Sequence, residues 1–147
     1  MSLPQSVGFT LVSKVIAAIQ AVPELQTLPV VRNPRRPQDL SVGGRVLIVA
    51  EAADKQLSKA GDREKRTRSF SVGALSRNEG ADAEADALAE LVSNTVHASL
   101  VAMQTSAEIT SMAEASVQFH VDDLEVDGAI VVSGWEIQYT RKRPRGG

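Results

Sequence analysis

The sequence predicts an α+β protein: an antiparallel sheet of about four strands with two helices packed on one face, in the order α-β-β-α-β-β. Two stretches repeat apolar residues at helical spacing, and strand-like runs follow each of them in adjacent pairs. Adjacent strands between helices indicate antiparallel pairing with the helices on one side of the sheet. The 147 residues suit one domain that covers 1–147.

Two segments have the periodicity of amphipathic helices. The first runs from Ser6 to Val22 and the second from Asp82 to Met103, with acidic residues in its first turns where the helix dipole favours negative charge. The second helix repeats its apolar residues at Leu88, Leu91, Val92, Val96, Leu100 and Met103. The segment after it, Thr105 to Glu114, is predicted to be a loop.

The first strand pair lies between the helices. Arg45 to Ala53 is apolar on both faces, as expected of a central strand, and Thr67 to Arg77 is predicted to be its return strand. Between them, Asp54 to Arg66 is polar and highly charged, which favours a long, mobile hairpin loop. Upstream, Leu28 to Arg32 is predicted to be a short edge strand.

The second strand pair closes the domain, with strands predicted at Ala115 to Asp122 and Ile130 to Thr140. A two-residue turn would place apolar residues opposite polar ones. A three-residue turn aligns Phe119 with Trp135, or gives a neighbouring odd register. We therefore predict a three-residue turn with Gly128 at positive φ, or a bulge nearby.

Charge is segregated along the chain although the net charge is only −2. Residues 1–77 contain 12 Lys/Arg and 6 Asp/Glu, whereas residues 78–140 contain 12 Asp/Glu and no Lys or Arg. Residues 141–147, predicted to be a flexible basic tail, add four bases. These charges either pair within one subunit, or the basic flank of one copy meets the acidic flank of the next.

The sequence offers no signature of catalysis or of a resident cofactor. No G-x-S-x-G, G-x-x-x-x-G-K-[ST] or G-x-G-x-x-G motif is present, and there is no cysteine. Absence of cysteine excludes disulfides and favours a reducing compartment. No apolar run approaches the roughly 18–20 residues needed to cross a bilayer, so we expect a soluble protein without a membrane partner.

Metal binding is not predicted either. His97 and His120 are the only histidines, and His120 with Asp122 lacks further ligands at suitable spacing. The segment Asp123 to Gly128 resembles the start of a calcium loop, but Gly134 stands where the bidentate Glu is required. An acidic hairpin tip explains this segment better.

Nucleic acid is not the expected partner. The basic residues Arg63, Lys65, Arg66 and Arg68, together with the tail from Arg141 to Arg145, could contact phosphates. Neither set is interleaved with aromatic residues on which bases could stack. A solvated loop and tail are the preferred interpretation.

Four segments together resemble the tail terminator (tail completion, minor tail protein) family of long-tailed bacteriophages. These are the opening helix Val12–Ile19 (VSKVIAAI), the strand Arg45–Ala50 (RVLIVA), the helix from Asp82 to Leu100, and the closing strand Gly134–Arg141 (GWEIQYTR). The resemblance lies in the order and texture of these elements along nearly the whole chain. It implies a non-catalytic subunit of a hexameric ring that stops growth of the tail tube and presents a surface to the head connector.

The resemblance also implies partners and a location. The chain would bind copies of itself, tail-tube proteins and head-connector proteins, and would reside in the virion tail after assembly in the host cytoplasm. We predict a subunit interface in which Arg63, Arg66 and Arg68 face acidic residues of a neighbour; the acidic set is Asp82, Glu84 and Asp86. Two alternatives stay open: another phage neck or tail-tube component, and a small non-catalytic ligand-binding α+β module.

Overall fold

Two helices and five strands form the chain in the computed structural model, which describes residues 3–115 and 128–143. A short 3₁₀ helix, Pro37–Leu40, precedes the long strands. The main elements in chain order are α1 (Val7–Gln20), β1 (Val30–Arg32), β2 (Arg45–Ala60), β3 (Arg63–Ser76), α2 (Ala81–Thr105), β4 (Ser111–Ala115) and β5 (Ala129–Lys142).

The five strands form one mixed sheet in the order β1-β2-β3-β5-β4. Strand β1 runs parallel to β2, and the other neighbours are antiparallel. The α+β class is therefore confirmed, while the prediction of an antiparallel four-stranded sheet is wrong in detail. The connection through the 3₁₀ helix makes β1 parallel, because it returns the chain to the end of the sheet at which β1 began.

Both helices pack on one face of the sheet, as predicted. Apolar side chains of α1 and α2 pack in one core against alternate residues of the strands, which point to the same face of the sheet. The aromatic side chains of Phe70, Trp135 and Tyr139 are at most 1% exposed there. Since aromatics are only 3% of the chain, aliphatic side chains supply the rest of this core.

A smaller core covers the opposite face at the β1 side of the sheet. Leu40 of the 3₁₀ helix packs there with Val46, Ile48 and Leu75. This cover explains why the beginning of β2 is apolar on both faces: Val46 to Val49 are all buried. The prediction of a central strand at this position is confirmed, because β2 lies between β1 and β3.

The prediction of a mobile loop from Asp54 to Arg66 is wrong. Strand β2 continues to Ala60, β3 begins at Arg63, and Gly61 at φ +63° turns the chain between them. Register shifts near positions 52 and 57 mark irregularities in the pairing. The charged residues do not belong to a solvated loop. Many of them form ion pairs with one another across the sheet.

The last strand pair differs from its predicted register. Part of the predicted loop from Thr105 to Glu114 forms β4, in which Glu114 lies opposite Trp135. The predicted alignment of Phe119 with Trp135 is therefore wrong, because the strand segment that pairs with β5 begins earlier than expected. Gly128 has a φ of +116°, as predicted. The rest of the predicted turn, and the strand after Ala115 up to Asp122, lie outside the described residues.

The helix predictions are confirmed to within about two residues. Ser6 caps α1 by accepting a hydrogen bond from the Phe9 amide at 3.1 Å. Strand β5 extends to Lys142, so Arg141 and Lys142 belong to the sheet although the sequence places them in a flexible tail. Within the described ranges, neither helix is long and apolar enough to cross a membrane.

The pairing of β2, β3 and β5 through the charged segment is testable by hydrogen exchange. Strand β3 pairs with both neighbours over its full length, so we expect the amides of Arg66 and Arg68 to exchange slowly. The amide of Gly43, in the turn before β2, serves as an unprotected reference. Exchange of Arg66 and Arg68 as fast as Gly43, measured by NMR at neutral pH, would restore the mobile-loop interpretation.

Candidate subunit interface

The alternation of β3 divides its cations between the two faces of the sheet. Arg68 lies opposite Ile137 and Arg66 opposite Tyr139, on the face that carries the helices. Arg63 and Lys65 alternate with them and are exposed. One charged sequence run therefore supplies both an interior set and a surface set of cations.

Arg66 and Arg68 form an ion-pair network within the chain. Arg68 donates to Glu51 at 2.6 Å and to Asp54 at 2.9 Å. Arg66 donates to Asp54 at 2.6 Å and to Glu64 at 2.7 Å. Each arginine thus bridges two carboxylates, and Asp54 links the two arginines.

The network continues at both ends. Arg32 of β1 contacts Glu51 at 2.8 Å and also donates to the Phe9 carbonyl of α1 at 3.1 Å. At the other end, Arg141 and Arg143 pair with Glu64, the former at 3.4 Å. Strands β1, β2, β3 and β5 are therefore tied together by alternating charges.

Burial makes this network dependent on its partners. The side chains of Arg66 and Arg68 are each 14% exposed, and that of Glu64 is 1% exposed. A charged side chain that is removed from water destabilises the fold when it has no partner, because its lost hydration energy is not replaced by other interactions. These side chains therefore depend on their ion-pair partners. Removing one member would leave another charge buried without compensation.

The carboxylates of the network stay ionised despite burial. Burial alone would raise the pKa of Glu51, but hydrogen bonds from Arg32, Asn33 and Arg68 outweigh it and hold that pKa below its usual value. In the same way, burial would raise the pKa of Asp54, and hydrogen bonds from Tyr139 and the arginines lower it.

Helix α1 begins directly against this network. A Cβ atom at Gly8 would lie 2.6 Å from Arg68 Nη1, 2.6 Å from Asp54 Oδ2 and 2.7 Å from the Tyr139 hydroxyl. Only glycine permits this approach. It places the positive end of the α1 dipole near the Asp54 carboxylate, which favours the ionised form.

Glu84 of α2 is also satisfied within the chain. It accepts two hydrogen bonds from Arg45 at 2.9 Å and others from Ser76 and Asn78. These bonds, those of Arg45 first, lower the pKa of Glu84 to about 2. Glu84 therefore fixes the start of α2 against the ends of β2 and β3.

The predicted interface residues thus fall into two groups. Arg66, Arg68 and Glu84 form their ion pairs inside the chain. For these three residues, the charges therefore pair within one subunit and not between copies. The other three are exposed and make no ion pair within residues 3–115 and 128–143; they are Arg63, Asp82 and Asp86. Their role between subunits stays a prediction.

Sequence reasoning missed the acidic partners in β2 and the hydroxyl in β5. In the sequence prediction, Glu51 lies in the strand from Arg45 to Ala53 and Asp54 lies in the loop that follows it. The available signal was the spacing of Arg66 and Arg68, two residues apart, which is the spacing of one face of a strand. Their acidic partners become visible only once β2 is extended to pair with them.

No metal site is found among the residues that the structure describes: no three His, Asp or Glu side chains converge there. His97 lies against Trp135, with ring centroids 6.3 Å apart. His120 and the calcium-loop-like segment Asp123 to Gly128 lie largely outside those residues. A cleft of about 210 Å³ is lined by Arg63, Thr140, Arg141 and Lys142.

Comparison with known proteins gives no family: no protein-family model matches the sequence, and no curated protein matches it significantly.

Gly8→Ala tests the close approach of α1 to the network. Alanine in a helix normally stabilises relative to glycine, but here the new Cβ would push apart Arg68, Asp54 and Tyr139. We expect a loss of about 1–3 kcal/mol in the free energy of unfolding, measured by urea denaturation. Gly43→Ala is the control, because its Cβ would have no neighbour closer than 3.5 Å. A stabilised Gly8→Ala variant would show that the helix does not contact the network.

Glu84→Gln tests the anchor of α2 through pH. The folded pKa of about 2 lies below the unfolded value near 4.5, so the stabilisation is complete above pH 4.5 and is lost as pH falls toward 2. We expect the variant to be less stable than the parent at pH 7 and equally stable near pH 2, in urea titrations. Asp86→Asn, which removes an exposed carboxylate, should change stability at pH 7 by less than about 0.5 kcal/mol. A Glu84→Gln deficit that is constant with pH would contradict the ion pair.

Proposed function

We propose that this chain is a structural subunit of a bacteriophage tail that assembles head to tail into a ring, terminates the tail tube and joins it to the head connector. The observation that carries self-assembly is the position of exposed opposite charges at opposite ends of the sheet. The assignment to a phage tail rests on the resemblance in the order of the helices and strands.

The length of β3 separates the two charges. The first and last of its 14 residues, Arg63 and Ser76, lie about 43 Å apart at a rise of roughly 3.3 Å from one residue to the next. The start of α2 lies at the Ser76 end, because Glu84 accepts a hydrogen bond from the Ser76 hydroxyl at 2.7 Å. Exposed Asp82 and Asp86 are therefore far from exposed Arg63.

Charges that cannot meet within one copy are available to a second copy. A contact between two different surfaces of identical subunits is heterologous, and it closes into a ring when the rotation between neighbours permits. Complementary surface charge speeds and orients such association. A tail terminator requires this kind of assembly, and it requires no catalytic group.

The ligand-binding alternative has weaker support. The cleft beside Arg63 and Lys142, at about 210 Å³, is smaller than the roughly 300–1,000 Å³ of typical small-molecule sites. Its lining residues are mostly cations rather than the apolar side chains that enclose such ligands.

The absolute mass in solution tests the proposal. By light scattering after size exclusion, we expect a species of six chains at low salt that dissociates at about 1 M salt, where the Debye length falls to about 3 Å. Negative-stain images of the low-salt species should show closed rings. A monomer at every salt and protein concentration would contradict self-assembly and favour the ligand-binding module.

A further inference from the structure

The face of the sheet that points away from the helices carries exposed cations at the charged ends of β3 and β5. Arg63 and Lys65 point away from the helices, and Lys142 lies directly opposite Arg63 on β5. All three are exposed. The only described ion pair among them is the 3.6 Å contact between Lys142 and Asp62, in which the lysine side chain is 75% exposed. We call Arg63, Lys65 and Lys142 the basic face.

A row of carboxylates lies on α2. Asp82, Asp86 and Glu90 follow one another at intervals of four residues, so they share one side of the helix, and all three are exposed. Glu84, which is bound to Arg45, is not part of this row. Ala83 and Ala87 beside the row are also exposed, and their small side chains permit close approach by another chain. We call Asp82, Asp86 and Glu90 the acidic row.

Arg63 and Lys65 of the basic face match neighbours of the acidic row in spacing as well as in charge. Neighbours in the acidic row are about 6 Å apart along the helix axis, since each residue rises 1.5 Å. Residues two apart on a strand, such as Arg63 and Lys65, are separated by about 6.6 Å. A helix laid along β3 can therefore bring successive carboxylates opposite successive cations.

We infer that the basic face of one copy binds the acidic row of the next copy, and that this contact is the seam of the assembly. The inference rests on the proposed function, since it names the surfaces through which the subunits would meet. It replaces Arg66, Arg68 and Glu84 of the sequence-predicted interface, which are occupied within the chain, with Lys65, Lys142 and Glu90. A second copy is the favoured occupant because the chain itself supplies the complementary charges at matching spacing.

Charge reversal on each surface tests the seam. Lys65→Glu and Asp86→Lys each place like charges across the contact, so each variant alone should assemble about tenfold or more weakly than the parent. An equimolar mixture should recover assembly, because every contact in an alternating array is then either native or reversed in both partners. Mass is measured by light scattering at low salt, and circular dichroism checks that each variant is folded.

Arg35→Glu is the matched control for Lys65→Glu, because it makes the same change in net charge at an exposed site outside both surfaces and should retain the parental mass. If the parent assembles and both Lys65→Glu and Asp86→Lys assemble equally well, the seam is elsewhere and the inference fails while the proposed function stands. If each variant is impaired but the mixture does not recover, the two residues do not face each other and the inference also fails. If the parent itself is monomeric at every concentration and salt, the proposed function fails first.

Discussion

The ion-pair network of Arg66 and Arg68 with Glu51, Asp54 and Glu64 is the constraint on which the long strands depend. It occupies the helix-bearing face beside the core residues Ile137 and Tyr139, where the arginine side chains are largely removed from water. Two arginines shared among three carboxylates leave no member of that set without a partner, and further arginines contact the carboxylates at both ends. The three strands can therefore continue through the charged segment as one ordered ladder instead of fraying into a loop.

This interior arrangement also determines the surface. Side chains alternate along a strand, so fixing Arg66 and Arg68 on the helix side places Arg63 and Lys65 on the opposite side. A slip of one residue in register would bury the surface cations and expose the network arginines, leaving the buried carboxylates unpaired. The same physical requirement thus specifies the register of the sheet and the charge of its exposed face. The bulge near position 52 contributes, because it sets Asp54 directly opposite Arg68.

The sequence predicts the parts of this fold whose signals are local. The helical repeats of α1 and α2, and the apolar run from Val46 to Val49, need no knowledge of a partner. The charged half of the hairpin could not be predicted in this way, because each charge is stabilised by a residue on another strand. Three-residue β1 is too short to reveal its parallel pairing. Arg63, Asp82 and Asp86 are exposed, and their place in an interface stays a prediction. The internal role of Glu84 depends on Arg45 and Ser76, which are distant or weakly informative in sequence.

Most charges of the β2–β3 hairpin form ion pairs inside the chain. The remaining charges therefore restrict the orientations in which a partner can approach. If Arg66 and Arg68 were free, the hairpin would be basic on both faces and could approach an acidic helix in several orientations. With Arg66 and Arg68 paired with carboxylates, the cations of β3 that make no ion pair within the described residues, Arg63 and Lys65, lie on one face, and Glu84 is similarly withdrawn from the acidic helix. The length of β3 then prevents the two surfaces from meeting within one chain. The basic face and the acidic row are different surfaces of one chain, so the proposed contact between them is heterologous and would repeat head to tail from copy to copy.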